Sequence, residues 1–213
     1  MIRDKYIGTK SNKFRRAPYI VDYLMQVLDC QEVRRLCRYL TLDPLAEEAI
    51  DYNGNVVQQP DLIDSLEKRA IRDNVSRGTE DQLLFAEAFS GSIVADNKIM
   101  IYVYPYEISF SERAMHYGTS TMGFMVFHVD IVYPVSLNRL GDHLQRAWSI
   151  ATILMDVVDE KTVLDPELYE YTGEVKFEFK DNMATNRKLA PNSDMAILNV
   201  PITVSVPGLR TVK

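Results

Sequence analysis

The sequence lacks the features that define several large classes of protein. Its 213 residues include only two cysteines and three histidines, and its nine glycines are scattered along the chain. It has no N-terminal apolar segment typical of a secretory signal, and no apolar run of the ~18 residues that a membrane helix needs. Phosphate-loop, dinucleotide-binding, HExxH, CxxC and GxSxG motifs are also missing. We therefore expect a protein that stays in the cytoplasm where it is made, with no membrane span, cofactor or metal site recognisable from sequence.

The two cysteines are predicted to be free thiols. Cys30 and Cys37 are seven residues apart in what reads as one helix, where a rise of 1.5 Å per residue separates their Cα atoms by roughly 10 Å. A disulfide needs Cα atoms within ~7 Å of each other. We therefore expect buried thiols in a reducing compartment.

Charge is unevenly distributed along the chain. The formal net charge of −6 argues against a dedicated duplex-DNA binder, whose affinity comes mainly from phosphate neutralisation. Residues 1–40 nevertheless carry nine basic and four acidic side chains, a net +5, which leaves −11 for the rest of the chain. A basic end on an acidic body favours contacts with identical copies or an acidic partner, and a solvated tail explains the pattern equally well. Arg15 and Arg16 are the candidate interaction residues of this end.

Hydrophobic periodicity predicts an α+β fold. With 46% hydrophobic and 25% charged residues the chain has ordinary globular composition, and we expect one domain over 19–213 after a basic N-terminal arm at 1–18. Helical spacing predicts helices over 19–40 and about 140–160, and residues 41–95 are predicted to be a helical and irregular insertion. Inside that insertion, the predicted helices are 61–72 and 79–91, the second beginning with a Thr79–Gln82 capping box.

Alternating apolar residues predict the strands of one sheet. The predicted strands are 98–110, 121–133, 174–180 and 198–206, with a polar loop at 111–120. Proline lacks the N–H that a ladder needs, so Pro105 indicates an edge or a bulge and Pro201 indicates an edge strand. We expect an antiparallel β-sheet with the N-terminal helix and a second helix packed on one face.

His128 and Asp130 form the best candidate for enzyme chemistry. Residues i and i+2 of a strand share a face, so the carboxylate could orient the imidazole or raise its pKa. The alternative is that the two residues form a pair without a catalytic role on the more hydrated face of the sheet. Perturbed pKa values do not decide between the two, because ion pairs that are only structural also perturb pKa values. We favour this alternative and predict no catalytic residues.

Three tyrosines share a face of the first predicted strand. Tyr102, Tyr104 and Tyr106 could form a base-stacking platform for single-stranded nucleic acid. No Lys or Arg lies between Lys98 and Arg113, however. Packing in the core or at a subunit interface therefore explains the tyrosines better.

The strand EVKFEFK places charged residues on its outward face. Lys176, Glu178 and Lys180 alternate with apolar residues that point inward. Such a face is usually solvated. In a ring it could also form pairs between subunits or line a lumen.

In their order, these elements resemble the tail terminator (tail-completion) and neck proteins of tailed bacteriophages. In that family an N-terminal helix precedes an antiparallel sheet, a second helix crosses the sheet and a last strand follows. The resemblance covers about residues 19–40 and 97–180. The segments that carry it are PYIVDYLMQVLDCQEVRRLCRYL, LDPLAEE…QQPDL, KIMIYVYPYEIS, MGFMVFHVDIVYP, RLGDHLQRAWSIATILMDVV and EVKFEFK.

The resemblance implies a structural protein of the virion, assembled in the host cytoplasm, with no catalytic residues and no cofactor. It implies a homohexameric ring that terminates the tail tube and contacts the tube or sheath and the neck or head-completion proteins. Genomic DNA would pass through the lumen without specific binding. Edge strands and an arm suit strand addition and wrapping between ring neighbours.

Other functions remain as alternatives. The chain could be another head–tail connector, a stopper or a baseplate component. From different classes, it could be a small intracellular enzyme that uses His128 and Asp130, or a single-strand nucleic-acid binder that uses the tyrosine face and the arm.

Overall fold

A computed structural model describes residues 17–62, 83–89, 98–115, 118–142, 144–158, 162–163, 175–179 and 184–206. The helices are α1 (Ala17–Leu28), α2 (Gln31–Arg38) and α3 (Arg146–Val158). The strands are β1 (Glu48–Ile50), β2 (Val56–Gln58), β3 (Leu84–Phe85), β4 (Met100–Met115), β5 (Gly118–Pro134), β6 (Thr162–Val163), β7 (Val175–Phe179), β8 (Thr185–Lys188) and β9 (Met195–Val206).

The predicted α+β fold is confirmed. Within the described residues, seven strands form one sheet in the order β3-β4-β5-β9-β7-β6, and β8 pairs with β9 beside β7. The strand pairs are antiparallel apart from β3–β4, which is parallel. Strands β1 and β2 form a separate antiparallel hairpin.

The main core lies between one face of the sheet and the helices. Alternate residues of β5, from Met125 to Tyr133, are buried with alternate residues of β9, from Leu198 to Val204. All three described helices contribute to the same cluster, as the prediction of helices on one face requires. Phe177 of β7 is fully buried there. The alternation of apolar residues along the strands therefore determines which face of the sheet is buried in the core.

The predicted helix over 19–40 is two helices. The break falls at Asp29 and Cys30, and Cys30 has extended backbone angles (φ −107°, ψ 162°) before α2 begins. Asp29 accepts a 2.6 Å hydrogen bond from Arg34 Nε across the break. The apolar spacing explains the break, because Leu28 and Val33 are both buried but five residues apart, a step that does not fit one straight helix.

Both cysteines are free thiols, as predicted, but only Cys37 is fully buried, whereas Cys30 is half-buried. Cys30 precedes α2 and Cys37 lies within it, so the two do not share one helix. Burial raises the pKa of Cys37 to about 12, and burial also raises the pKa of Cys30.

The insertion differs from its prediction in two places. Residues 48–58 form the β1–β2 hairpin, which turns at Asn53 and Gly54, with Gly54 at φ +87°. The described part of the predicted 79–91 helix holds strand β3 instead. Leu83 O accepts a hydrogen bond from Ile101 N, and the Phe85 ring stacks on Tyr102 with 4.7 Å between centroids. These contacts with β4 stabilise a strand here, although the spacing of apolar residues is typical of a helix. Residues 63–72 and the Thr79–Gln82 capping box lie outside the described residues.

The predicted polar loop over 111–120 is wrong, because β4 and β5 continue into it as one long hairpin. Their pairing runs from Met100↔Val132 to Met115↔Gly118. The predicted irregularity at Pro105 is confirmed as a shift of register between Pro105 and Glu107.

Pro201 does not lie on an edge strand, which corrects the sequence prediction. Strand β9 has β5 on one side and β7 with β8 on the other. On that second side β7 pairs as far as Ile202 and β8 begins at Asn199. Pro201 therefore lies at the point where the partner of β9 on this side changes from β7 to β8. The missing N–H of proline interrupts no ladder of hydrogen bonds there.

The remaining boundaries shift by a few residues. Helix α1 begins at Ala17, with Pro18 in its first turn, where a missing N–H costs no hydrogen bond. The predicted N-terminal arm over 1–18 therefore overlaps the helix by two residues, and residues 1–16 lie outside the described residues. Helix α3 begins at Arg146, where Asn138 Oδ1 accepts a 2.9 Å hydrogen bond from Ala147 N. Among the described residues, no helix combines the length and apolar character needed to cross a membrane.

Candidate functional site

The sheet face opposite the helices carries a cluster of polar and aromatic side chains from three adjacent strands. In the strand register Tyr104 is opposite His128, and Asp130 is opposite Asn199. Together with Tyr106 of β4, these residues form what we call the polar cluster. Its members come from β4, β5 and β9, so the order of strands in the sheet brings them together.

Asp130 lies at the centre of the polar cluster. Its carboxylate is buried and accepts hydrogen bonds from Tyr104 Oη at 2.9 Å and from Asn199 Nδ2. Asn199 Nδ2 also lies 3.0 Å from His128 Nδ1. The carboxylate and the imidazole are therefore joined through Asn199.

The orientation of Asn199 fixes the tautomer of His128. A carboxylate only accepts hydrogen bonds, so the Asn199 atom that faces Asp130 must be the donor Nδ2. The second hydrogen of Nδ2 then points to His128 Nδ1, which must accept it. The imidazole is therefore neutral, with its proton on Nε2.

Burial shifts the pKa values of His128 and Tyr104 in the direction that favours their neutral forms. Burial lowers the pKa of His128, and the negative charge of Asp130 opposes this. Burial, followed by the hydrogen bond and charge of Asp130, raises the pKa of Tyr104. Near neutral pH the imidazole of His128 and the phenol of Tyr104 are thus both uncharged. In this arrangement His128 Nδ1 accepts the hydrogen bond from Asn199, and the ring proton is on Nε2.

The three predicted tyrosines occupy two environments. Tyr106 is 64% exposed and stacks on the His128 ring at 4.0 Å between centroids. Tyr104 meets the same ring edge-on at 5.7 Å. Tyr102 is buried instead, stacked on Phe85. Tyr104 and Tyr106 therefore form an aromatic surface around His128, while Tyr102 is part of a small apolar cluster. That cluster comprises Phe85, Met100, Tyr102, Val132, Met195 and Ile197.

The charged residues predicted on β7 pair with each other. Lys176 Nζ lies 3.0 Å from Glu178 Oε1, and both side chains are about half exposed. The other predicted interaction residues, Lys180, Arg15 and Arg16, lie outside the described residues.

Sequence reasoning missed a second feature, the β1–β2 hairpin and the two buried arginines that hold it. Arg35 donates to the carbonyl oxygens of Pro44 and Ala46 and pairs with Asp61 at 3.0 Å. Arg146 Nη2 donates to Thr41 O at 2.6 Å and to Tyr52 Oη at 3.4 Å. In the sequence, both arginines alternate with apolar residues in helical stretches. Exposed arginines occur in the same pattern, so the sequence alone does not show that these two are buried.

Further hydrogen bonds tie the hairpin to the body of the protein. Tyr52 Oη donates toward the carbonyl oxygens of Leu137 and Arg139, at 3.1 and 2.7 Å. Gln59 is fully buried, and its Nε2 donates to Asp43 O and Ala46 O. The hairpin is therefore held in a fixed position although much of its outer side faces solvent. We call the exposed side chains Leu45, Glu48, Ile50 and Val56 the hairpin surface.

Neither site resembles a metal centre. Among the residues that the structure describes, no group of three or more His, Cys, Asp or Glu side chains is placed to hold a metal ion. The polar cluster offers hydrogen bonds and an aromatic surface, and the hairpin surface offers apolar side chains beside carboxylates.

Comparison with known proteins assigns no family. The sequence matches no family model and no curated protein. The fold partly superposes on a chain of a solved structure titled "Virion of native gene transfer agent (GTA) particle". That superposition has a TM-score of 0.36 at 14% sequence identity and covers 63% of this chain and 84% of the other.

Proposed function

We propose that this chain is a structural protein of a phage-like virion, forming a homo-oligomeric ring, of six copies, that terminates the tail tube and joins it to the neck. The observation that carries the proposal is the projecting end of the β4–β5 hairpin. Residues 111–115 and 118–122 pair with each other, whereas β9 reaches only to Gly123. Within the described chain, this end is a two-stranded ribbon beyond the sheet.

A two-stranded ribbon has little stability of its own in water. It becomes stable when a third strand or another surface packs on it, and an identical neighbour supplies such a surface in a ring. The hairpin surface adds exposed apolar side chains in a fixed position, a property typical of protein interfaces. Both features favour a protein that functions through contacts with other proteins.

The geometry of the polar cluster favours this proposal over the enzyme alternative. In a catalytic pair, the carboxylate holds the imidazole directly and leaves its other nitrogen free to take a proton. Here Asn199 stands between Asp130 and His128 and occupies Nδ1. We therefore propose a structural role for His128 and Asp130, in which they fix the position of the exposed Tyr106.

The proposed position in the virion can be tested by labelling particles. Phage-like particles would be purified from the source culture, searched for this chain by mass spectrometry and labelled with gold-conjugated antibody. We expect label at the head–tail joint. Label at the far tail end would support the baseplate alternative, and intact particles without the chain would contradict a virion protein.

The ring itself can be tested on the isolated protein. Light scattering on a sizing column gives the native mass, and negative-stain images of the same peak show its symmetry. Six-fold rings would support the proposal. A monomer that also fails to join isolated tails would contradict it.

A further inference from the structure

The hairpin leaves one strand edge open, and the hydrogen-bond pattern shows which one. Asp51 N donates to Asn55 O at 2.9 Å, and Gln59 N donates to Glu47 O at 2.7 Å. In an antiparallel pair such hydrogen-bonded rows alternate with rows whose main-chain groups point away from the partner. The row Ile50↔Val56 is of this second kind, and so is Glu48↔Gln58.

The two outer edges of the hairpin differ. On β1, Ile50 O accepts a hydrogen bond from Leu42 N at 3.2 Å, and Thr41 forms a bridge with Asp51, so this edge is covered at the end that holds Ile50. On β2, the outward main-chain groups of Val56 and Gln58 have no partner among the described residues. The edge of β2 can therefore accept a further strand.

Side chains beside this edge combine apolar surface with negative charge. Ile50 and Val56 face each other across the strands and are 53% and 63% exposed. From 39 to 61 the chain contains acidic residues but no Lys, Arg or His. Among the described residues no cation pairs with four of these acids, Asp43, Glu47, Glu48 and Asp51. The segment that adds here should be basic with interspersed apolar residues.

Residues 1–16 of the same sequence have that composition. They contain six basic residues and one acid, a net +5, together with Tyr6, Ile7 and Phe14. Fully extended, a segment of this length spans roughly 50 Å at ~3.3 Å per residue. The segment ends at the buried start of α1, which anchors it to its own subunit.

We propose that residues 1–16 of a second copy of this chain add as a strand along the open edge of β2. Main-chain hydrogen bonds supply the affinity, and the charge difference between the basic segment and the acidic hairpin supplies the specificity. Since the two surfaces are different parts of the chain, the contact is heterologous and can repeat around a ring. In this respect the inference rests on the proposed function and names the contact that builds the ring.

Photo-crosslinking between two distinguishable copies tests the contact. An untagged chain carrying benzoylphenylalanine in place of Phe14 is mixed with a tagged chain, irradiated and mapped by mass spectrometry. We expect crosslinks from the untagged chain to residues 45–58 of the tagged chain. Crosslinks confined to one copy, crosslinks elsewhere, or folded protein that gives no crosslink between copies would each overturn the inference.

Charge reversal tests the specificity of the contact. Changing Glu47 and Glu48 to Lys, or Arg15 and Arg16 to Glu, should lower the crosslink yield at least ~5-fold, and combining the two reversals should restore it. The matched control reverses two exposed acids outside the hairpin, Glu87→Lys with Glu107→Lys, and should leave the yield unchanged. Equal losses in control and hairpin variants would contradict the proposal.

A backbone variant separates strand addition from simple charge attraction. Val56→Pro removes an outward N–H that β1 does not use, and it should abolish the crosslink while circular dichroism shows an unchanged fold. If the Val56→Pro variant does not fold, the charge-reversal variants still test whether residues 1–16 bind the hairpin. Failure of the proposed virion role is distinguishable, because the place of the chain in the virion is judged by particle labelling, whereas these crosslinks are measured on the isolated protein.

Discussion

Arg146 places a positive charge in the interior of the protein. Its guanidinium is fully buried, and within the described part of the chain no carboxylate pairs with it. Instead Nη1 donates to Leu36 O and Tyr39 O at 2.9 and 2.8 Å, and Nε donates to Leu137 O at 3.1 Å. Leu36 and Tyr39 lie at the C-terminal end of α2, where the helix dipole favours a cation. One side chain thus joins α2, α3 and the hairpin.

Replacing Arg146 should therefore destabilise the fold strongly. Arg146→Met keeps most of the volume but leaves several buried carbonyl oxygens without a donor, so we expect the free energy of unfolding to fall by about 3 kcal/mol. Urea denaturation at equilibrium measures this loss. The matched control is Arg38→Met on the exposed side of α2, which should cost less than about 0.5 kcal/mol. Similar losses for both variants would show that the carbonyl contacts of Arg146 contribute little.

His128 should make stability depend on pH in a defined direction. Because burial lowers its pKa below the ordinary 6.5, the unfolded chain binds the proton more tightly than the folded protein does. The contribution of neutral His128 is therefore complete above pH 6.5 and is lost as pH falls from there through the folded-state pKa. Protonation of Nδ1 also opposes the hydrogen bond from Asn199.

The comparison with His128→Gln isolates this effect from other titrating groups. We expect wild-type protein to lose more free energy of unfolding than the variant between about pH 7 and pH 5. Denaturant unfolding across that range measures the difference, and an NMR titration of the His128 ring gives its pKa directly. Parallel pH profiles, or a ring pKa above 6.5, would contradict the prediction.

At the scale of elements, the start of α2 is poorly capped. Cys30 occupies the N-cap position with extended backbone angles, and its side chain makes no capping hydrogen bond. Serine at an N-cap accepts a hydrogen bond from a free N–H of the first turn, whereas alanine cannot. We expect Cys30→Ser to be more stable than Cys30→Ala by about 1 kcal/mol. The difference in urea midpoint between these two variants measures the cap alone, since both lose the sulfur.

Local pattern predicted most elements but not where each one ends. The alternation of Met125 to Tyr133 and the helical stripe from Ala147 to Val158 each placed an element and its buried face correctly. Strand β3 escaped prediction because Leu84 and Phe85 gain their strand pairing from β4, which is distant in sequence. The polar end of the β4–β5 hairpin escaped because main-chain pairing continues there without an apolar pattern.

At the scale of the whole molecule, the projecting end of the β4–β5 hairpin should govern assembly. Replacing residues 111–122 with Asn-Gly joins Phe110 to Gly123, which already face each other in the register, through a favourable two-residue turn. The β5–β9 pairing begins at Gly123 and is kept. We expect an intact fold, but an association constant at least ~10-fold lower, or about 1.4 kcal/mol.

Light scattering over a range of concentrations measures the association constant of the shortened chain and of wild type. The thermal midpoint of each protein serves as the control, because a large drop would indicate damage to the sheet. Unchanged association with an unchanged midpoint would show that the projecting end takes no part in assembly.

The sequence by itself determined the fold class, the core face of the long strands and the side of the sheet that the helices cover. These depend on periods of two and 3.6 residues, which local side-chain geometry sets. Only the tertiary structure decided that Pro201 lies inside the sheet, that Asn199 joins His128 to Asp130, and that Arg146 reaches the hairpin. Asn199 is 71 residues from His128, and Arg146 is 105 residues from Thr41. Contacts over such separations follow from the order of strands and the docking of helices, which no local pattern encodes.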